Sequence, residues 1–149
     1  MCHYCGCREI PLIRDFIAEH ESVTDHAGSV VRALDAGELS VARAHLDLMA
    51  AELRDHWRGE EDGLFAVMAR DEEYRDYIEA LQAEHRELGA LLAAGDLADL
   101  RYRTLVRTAI GELALHISKE EDGLFPAALT ALSGEEWNVA MAAWRAAHA

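Results

Sequence analysis

Glu52–Phe65, ELRDHWRGEEDGLF, and Glu112–Phe125, ELALHISKEEDGLF, read as two copies of one segment. Glu, Leu, His, Glu, Glu, Asp, Gly, Leu and Phe recur in register, so nine of fourteen positions are identical. A shorter match pairs Ala18-Glu19-His20 with Ala83-Glu84-His85. The chain therefore divides into two helical hairpins, each with one early histidine and one later His-x-x-x-Glu. A duplication kept only for packing would preserve apolar spacing. It has little reason to preserve a histidine and a carboxylate.

Working outward from the repeat, glycines and polar clusters mark five helical stretches. They run from about Pro11 to Ala36, Leu39 to Arg70, Tyr74 to Ala94 and Leu97 to Leu132, with a short fifth starting at Ser133. Pro11 suits an opening turn, and Asp35-Ala36-Gly37 suits a helix end. Pro126 is expected to disturb the fourth helix because proline removes a backbone donor, and Ser133 with Glu136 fits a capping box. Strand alternation is absent. The fold class expected is all-α: an antiparallel up-down four-helix bundle over residues 10–132, preceded by a Cys-rich tail, 1–9, and followed by a C-terminal helix, 133–149. A chain of 149 residues, 51% hydrophobic with two prolines, is long enough to bury a core of that kind.

Charge and cysteine usage narrow the function. The formal net charge of −14 repels phosphate backbones, so nucleic acid is not an expected partner. No apolar run reaches the roughly 18 residues that span a bilayer, and the N-terminus has no apolar h-region, so no membrane partner and a cytoplasmic location are expected. The cysteines, Cys2, Cys5 and Cys7, all fall in the first seven residues and cannot staple the rest of the fold. With His3 they could bind a metal or cycle between dithiol and disulfide; a mobile tail with reactive thiols, offering contact to a protein partner, is equally consistent.

The repeat carries the chemistry. His56 and Glu60 are four residues apart, as are His116 and Glu120, and on a helix that spacing puts both side chains on one face. Imidazole nitrogen with carboxylate oxygen suits iron, and carboxylates can bridge two metals. In the first helix Ile13, Phe16, His20, Val23, Ala27, Val30 and Leu34 form a 3-4 stripe with His20 inside it. In the third, Ile78, Leu81, His85, Leu88 and Leu92 do the same around His85. The expected metal ligands are therefore His20, His56, Glu60, His85, His116 and Glu120. A buried histidine satisfied by a neighbouring side chain is the ordinary alternative for one such residue, but it does not extend to four histidines facing two inward glutamates, because burying unpaired carboxylates costs several kcal/mol.

Four further residues are weighed around this set. His26 lies beside the stripe, about 9 Å shallower than His20 at ~1.5 Å per residue, and is expected at the surface or as a supporting residue. Glu52 and Glu112, one turn before each later histidine, could accept the second imidazole N–H and fix the tautomer, or could be solvated. Glu61, beside Glu60, points about 100° away and is expected as a surface charge unless it swings in as a ligand; Glu121 is expected likewise. Leu64, Phe65, Leu124 and Phe125 are expected in the core.

With its lone His20, His56/Glu60, His85 and His116/Glu120, the chain resembles the hemerythrin-like (cation-binding HHE) domain over about residues 12–132, and its Cys-x-Tyr-Cys-Gly-Cys start looks like an actinobacterial branch. The resemblance implies a four-helix bundle with two iron ions, oxo- or hydroxo-bridged, His20 and His56 on one iron, His85 and His116 on the other, and both glutamates bridging. One departure matters. Oxygen-carrying hemerythrins have a second histidine one turn from the first on the third helix, where this chain has Leu81 and Gly89. Each iron then keeps an open position, which suits catalase-like consumption of hydrogen peroxide, or reaction with oxygen or nitric oxide. The other expectations are a sensor of oxygen, nitric oxide or iron, and iron binding without turnover.

Overall fold

The structure, a computed structural model, describes residues 1, 3–93 and 95–149; Cys2 and the expected helix end at Ala94 lie outside the described residues. Every regular element among the described residues is helical. A 3-10 turn, Cys7–Glu9, leads into α1, Ile13–Asp35. Gly37, at φ +72°, takes the left-handed conformation that releases the chain from α1, and the Glu38 N–H closes the turn on the Ala33 carbonyl at 2.8 Å. α2, Leu39–Gly59, runs without a break through a π-helical segment, Glu60–Phe65, into α3, Ala66–Met68. α4 spans Glu72–Ala93. α5, Leu100–Lys119, passes through a second π-helical segment, Glu120–Leu124, into α6, Phe125–Ala131. α7, Gly134–Ala147, opens on the expected capping box: the Glu136 N–H donates to the Ser133 hydroxyl at 3.2 Å and the Ser133 N–H to the Glu136 carboxylate at 2.9 Å.

The disturbance of the fourth long helix begins before Pro126, which falls at the opening of α6. The cause is the repeated segment itself. Its first copy is π-helical too, although Ala66 stands where the second copy has Pro126. A π-helical turn adds a residue to the ladder and frequently marks a functional site; here both fall on the duplicated Glu-Glu-Asp-Gly-Leu.

α1 packs along α2, α2 on α4, α4 on α5, and α5 back on α1, while α7 lies across α2 and the first π segment. The stripes predicted for α1 and α4 are the buried faces of those helices. The apolar interior falls into two clusters. One contains Val23, Leu34, Leu46, Leu53, Leu88, Val106 and Leu113; the other contains Phe16, Ile17, Leu64, Phe65, Leu81, Leu124 and Phe125. On every one of the four long helices the residues between these clusters are the repeated histidines and glutamates. A polar layer thus crosses an otherwise apolar bundle.

Candidate metal centre

Among the described residues, the buried polar or charged side chains are His20, His56, Glu60, His85, His116 and Glu120, each at most 3% exposed. They form two groups whose ligand atoms all lie within 4.8 Å of one another: His20, His56, Glu60 and Glu120, and Glu60, His85, His116 and Glu120. Both carboxylates belong to both groups, so the arrangement has two foci joined by two glutamates.

Each imidazole turns Nε2 inward and Nδ1 outward. The Nε2 atoms of His20 and His56 are 3.0 Å apart, and those of His85 and His116 are 2.9 Å apart. Outside, His20 Nδ1 is 2.8 Å from Glu121, His56 Nδ1 2.8 Å from Glu19 and His85 Nδ1 2.8 Å from Glu61; His116 Nδ1 lies 3.8 Å from Glu84, beyond hydrogen-bond reach. A carboxylate accepts, so the Nδ1 atoms of His20, His56 and His85 donate, which turns their Nε2 lone pairs toward the centre. Carboxylate oxygens of Glu60 and Glu120 approach these Nε2 atoms at 3.1–3.4 Å, yet all four oxygens are buried without a hydrogen-bond partner. Unsatisfied buried acceptors on this scale are costly. Lone pairs from imidazoles and carboxylates converging on two points are what a pair of cations satisfies, so the donor set fits two metal ions of the kind that N/O ligands prefer.

Electrostatics without a cation show the same strain. Burial, then the neighbouring Glu120 charge, push the Glu60 carboxyl well above its ordinary range. Burial pushes Glu120 up as well, but its contacts with His116 and His20 outweigh that and hold it well below. The two acids are thus pushed in opposite directions. Burial lowers His85, outweighing Glu61 beside it; for His20 burial is outweighed by Glu120 and Glu121, and the ring is raised.

The chain belongs to the hemerythrin HHE cation-binding family. The family model matches residues 12–128, most of the chain, and describes a hemerythrin HHE cation-binding domain. No curated protein and no solved structure matches the chain significantly. In this hemerythrin-family domain the aromatic residues of the repeat line the centre: Phe125 stacks on His20 with ring centroids 5.9 Å apart, and Phe65 on His85 at 5.4 Å. Phe16 meets the His56 ring edge-on at 5.5 Å. Trp57 stacks on His85 at 4.7 Å, and a Cβ at Gly89 would lie 3.4 Å from its ring. An indole therefore covers the surface of α4 one turn beyond His85.

The outer carboxylates differ from those expected. Glu52 pairs with His26 Nε2 at 3.4 Å, whose Nδ1 lies 3.0 Å from His45, all away from the centre; Glu112 is exposed. Glu61, expected as a surface charge, and Glu121 instead hold His85 and His20. The reason is geometric. A residue about 100° from the inward direction points into the seam with the next helix, and the outer nitrogen of the neighbour's inward-reaching histidine lies in that seam. The missed signal was in the sequence: Glu19 and Glu84 are part of the Ala-Glu-His repeat, and Glu61 and Glu121 are part of Glu-Glu-Asp-Gly-Leu-Phe. In the tail, the Cys5 and Cys7 sulfurs are 2.8 Å apart in a surface hollow with Asp122 and Pro126. Arg8 reaches Glu121 at 3.3 Å, which ties this segment to His20.

Proposed function

We propose that this domain holds two irons between the four long helices of an up-down bundle and consumes hydrogen peroxide in a catalase-like reaction, or reacts with oxygen or nitric oxide. The observation that carries the reading is the pair of inward Nε2 couples facing carboxylate oxygens that have no protein partner. His20 and His56 would hold one iron, His85 and His116 the other, with Glu60 and Glu120 shared. Bound iron supplies a Lewis acid and a redox couple. The chain's own residues fix the imidazole tautomers through Glu121, Glu19 and Glu61, and exclude bulk water with Phe16, Phe65, Phe125 and Trp57. Four imidazoles for two irons, with Trp57 over Gly89, favour peroxide chemistry over reversible oxygen carriage, because neither iron gains a third histidine. A cytoplasmic location belongs to this reading; no helix among the described residues is long and apolar enough to cross a membrane.

A sensor is the second reading, favoured by the Arg8–Glu121–His20 connection between the Cys-rich segment and the centre. Metal content, the optical spectrum and oxygen evolution from peroxide test both. Two irons per chain with oxo-to-iron charge-transfer bands, lost in Glu60→Ala and Glu120→Ala, support the centre. Oxygen release above that of free iron supports turnover. A reversible spectral response to oxygen or nitric oxide without release would favour the sensor, and a protein that takes up no iron would end both readings.

A further inference from the structure

The two halves of the repeat place equivalent glutamates beside His56 and His116, yet the fold treats them differently. Glu19 is gripped from outside by α7: the Trp144 indole N–H donates to Glu19 Oε2 at 3.2 Å, and His148 Nε2 pairs with Glu19 Oε1. His148 stacks on Trp144 at 4.3 Å, and its Nδ1 lies 2.7 Å from the Trp144 carbonyl. One ring nitrogen thus faces a carbonyl and the other a carboxylate, so the ring is held at both ends. Glu19 in turn accepts a hydrogen bond from His56 Nδ1 at 2.8 Å. Glu84, the counterpart, is drawn instead toward solvent by Lys119 at 2.7 Å and stands 3.8 Å from His116, whose Nδ1 is buried with no partner.

This difference follows from where α7 can sit. Gly59 and Gly63 in the first copy let it approach closely: a Cβ on Gly63 would lie 2.9 Å from the Ala140 carbonyl, and one on Gly59 3.4 Å from the Trp144 ring. In the second copy Lys119 replaces Gly59 in the alignment, and Gly123 faces only the Tyr77 hydroxyl. One helix therefore covers one copy.

We infer that Trp144 and His148 are positioning residues for one of the two metal positions: through Glu19 they lock the His56 imidazole, so the His20/His56 position binds its ion more tightly than the His85/His116 position. The inference rests on the two-metal reading and deepens it. Partners in this outer layer orient the ligand and raise its basicity, and losing one typically weakens metal binding by roughly 10- to 100-fold. The unbraced His116 leaves the second position the one that fills last and exchanges first.

The test is titration of the metal-free full chain with cobalt(II), followed by its visible absorption. Wild type should bind two cobalts in two resolved steps. The double variant Trp144→Phe/His148→Ala, which keeps an aromatic ring against Gly59, should weaken the tighter step by roughly 10- to 100-fold and leave the weaker one in place. His148→Arg keeps an N–H donor for Glu19 and should retain wild-type affinity, and Lys119→Met should leave the tighter step unchanged. Should the double variant fold poorly, His148→Ala alone, at a partly exposed position, should shift the same step in the same direction. Equal affinities in wild type, or a Trp144→Phe/His148→Ala or His148→Ala variant that moves both steps alike, neither, or only the weaker, would overturn the inference. No cobalt uptake by wild type would instead remove the metal-centre reading on which it stands.

Discussion

Replacing Glu60 by methionine should make the metal-free protein more stable and the metal-loaded protein less stable, a reversal of sign within one substitution. Glu60 is fully buried, and neither of its oxygens has a hydrogen-bond partner. An unsatisfied buried polar group of this kind costs about 1–3 kcal/mol. Methionine follows the same unbranched path and fills the space with a soft apolar end. Removing the carboxyl should therefore stabilise the metal-free bundle by about 1–3 kcal/mol, which for a chain of this size raises Tm by about 2–12 °C. Metal reverses the order. An ion held at a thousand times its Kd adds about 4 kcal/mol to wild type, and the variant, lacking a carboxylate shared by both positions, cannot take up the pair. Calorimetric unfolding in chelator and again after iron loading reads both differences. A variant that melts below wild type in chelator would refute the claim that the carboxyl is unsatisfied in the absence of metal. One that gains as much as wild type from iron would refute its role in holding the pair.

Three further outcomes are expected. Glu60, raised by burial and by Glu120, is protonated in the metal-free fold at pH values where the unfolded chain has ionised it, so the folded state binds more protons. The stability it contributes is complete below the ordinary glutamate range and is lost as pH rises toward its raised folded value; chemical denaturation across that window should show the decline, which a Glu60→Gln variant should lack. The same proton should leave when metal enters, so calorimetric titration of metal into the protein in buffers of different ionisation enthalpy should report proton release, and zero release would contradict the assignment. Gly63→Ala places a methyl 2.9 Å from the Ala140 carbonyl and should cost about 1–3 kcal/mol through overpacking. Gly123→Ala meets only the Tyr77 hydroxyl at 3.0 Å and should cost less, as paired thermal melts would show.

The helices and the six buried ligand candidates were legible before any coordinates, because each depends on a local rule. A 3-4 apolar stripe dictates which face of α1 or α4 turns inward, and a histidine inside that stripe turns inward with it. A repeat that keeps His-x-x-x-Glu in register marks side chains whose identity, and not merely their size, is needed. Two features resisted that reading. The π-helical segments have no periodicity signature in five or six residues, and Pro126 drew attention to a position downstream of the actual disturbance. The same one-turn logic that finds the ligands offers Glu52 and Glu112 as outer carboxylates or as solvated residues, yet the imidazoles beside them are reached from neighbouring helices.

The sequence by itself determined that the protein is helical, that it is duplicated, and which histidines and glutamates turn to one face, since those are consequences of spacing along one helix. Only the tertiary structure decided who holds the outside of each imidazole and that α7 braces one half alone. Those contacts lie across seams between elements far apart in the chain, where the distance from a carboxylate to a ring nitrogen is fixed by how closely two helices approach. Glycine at 59 and 63 permits that approach on one side, and lysine at 119 leaves the other open.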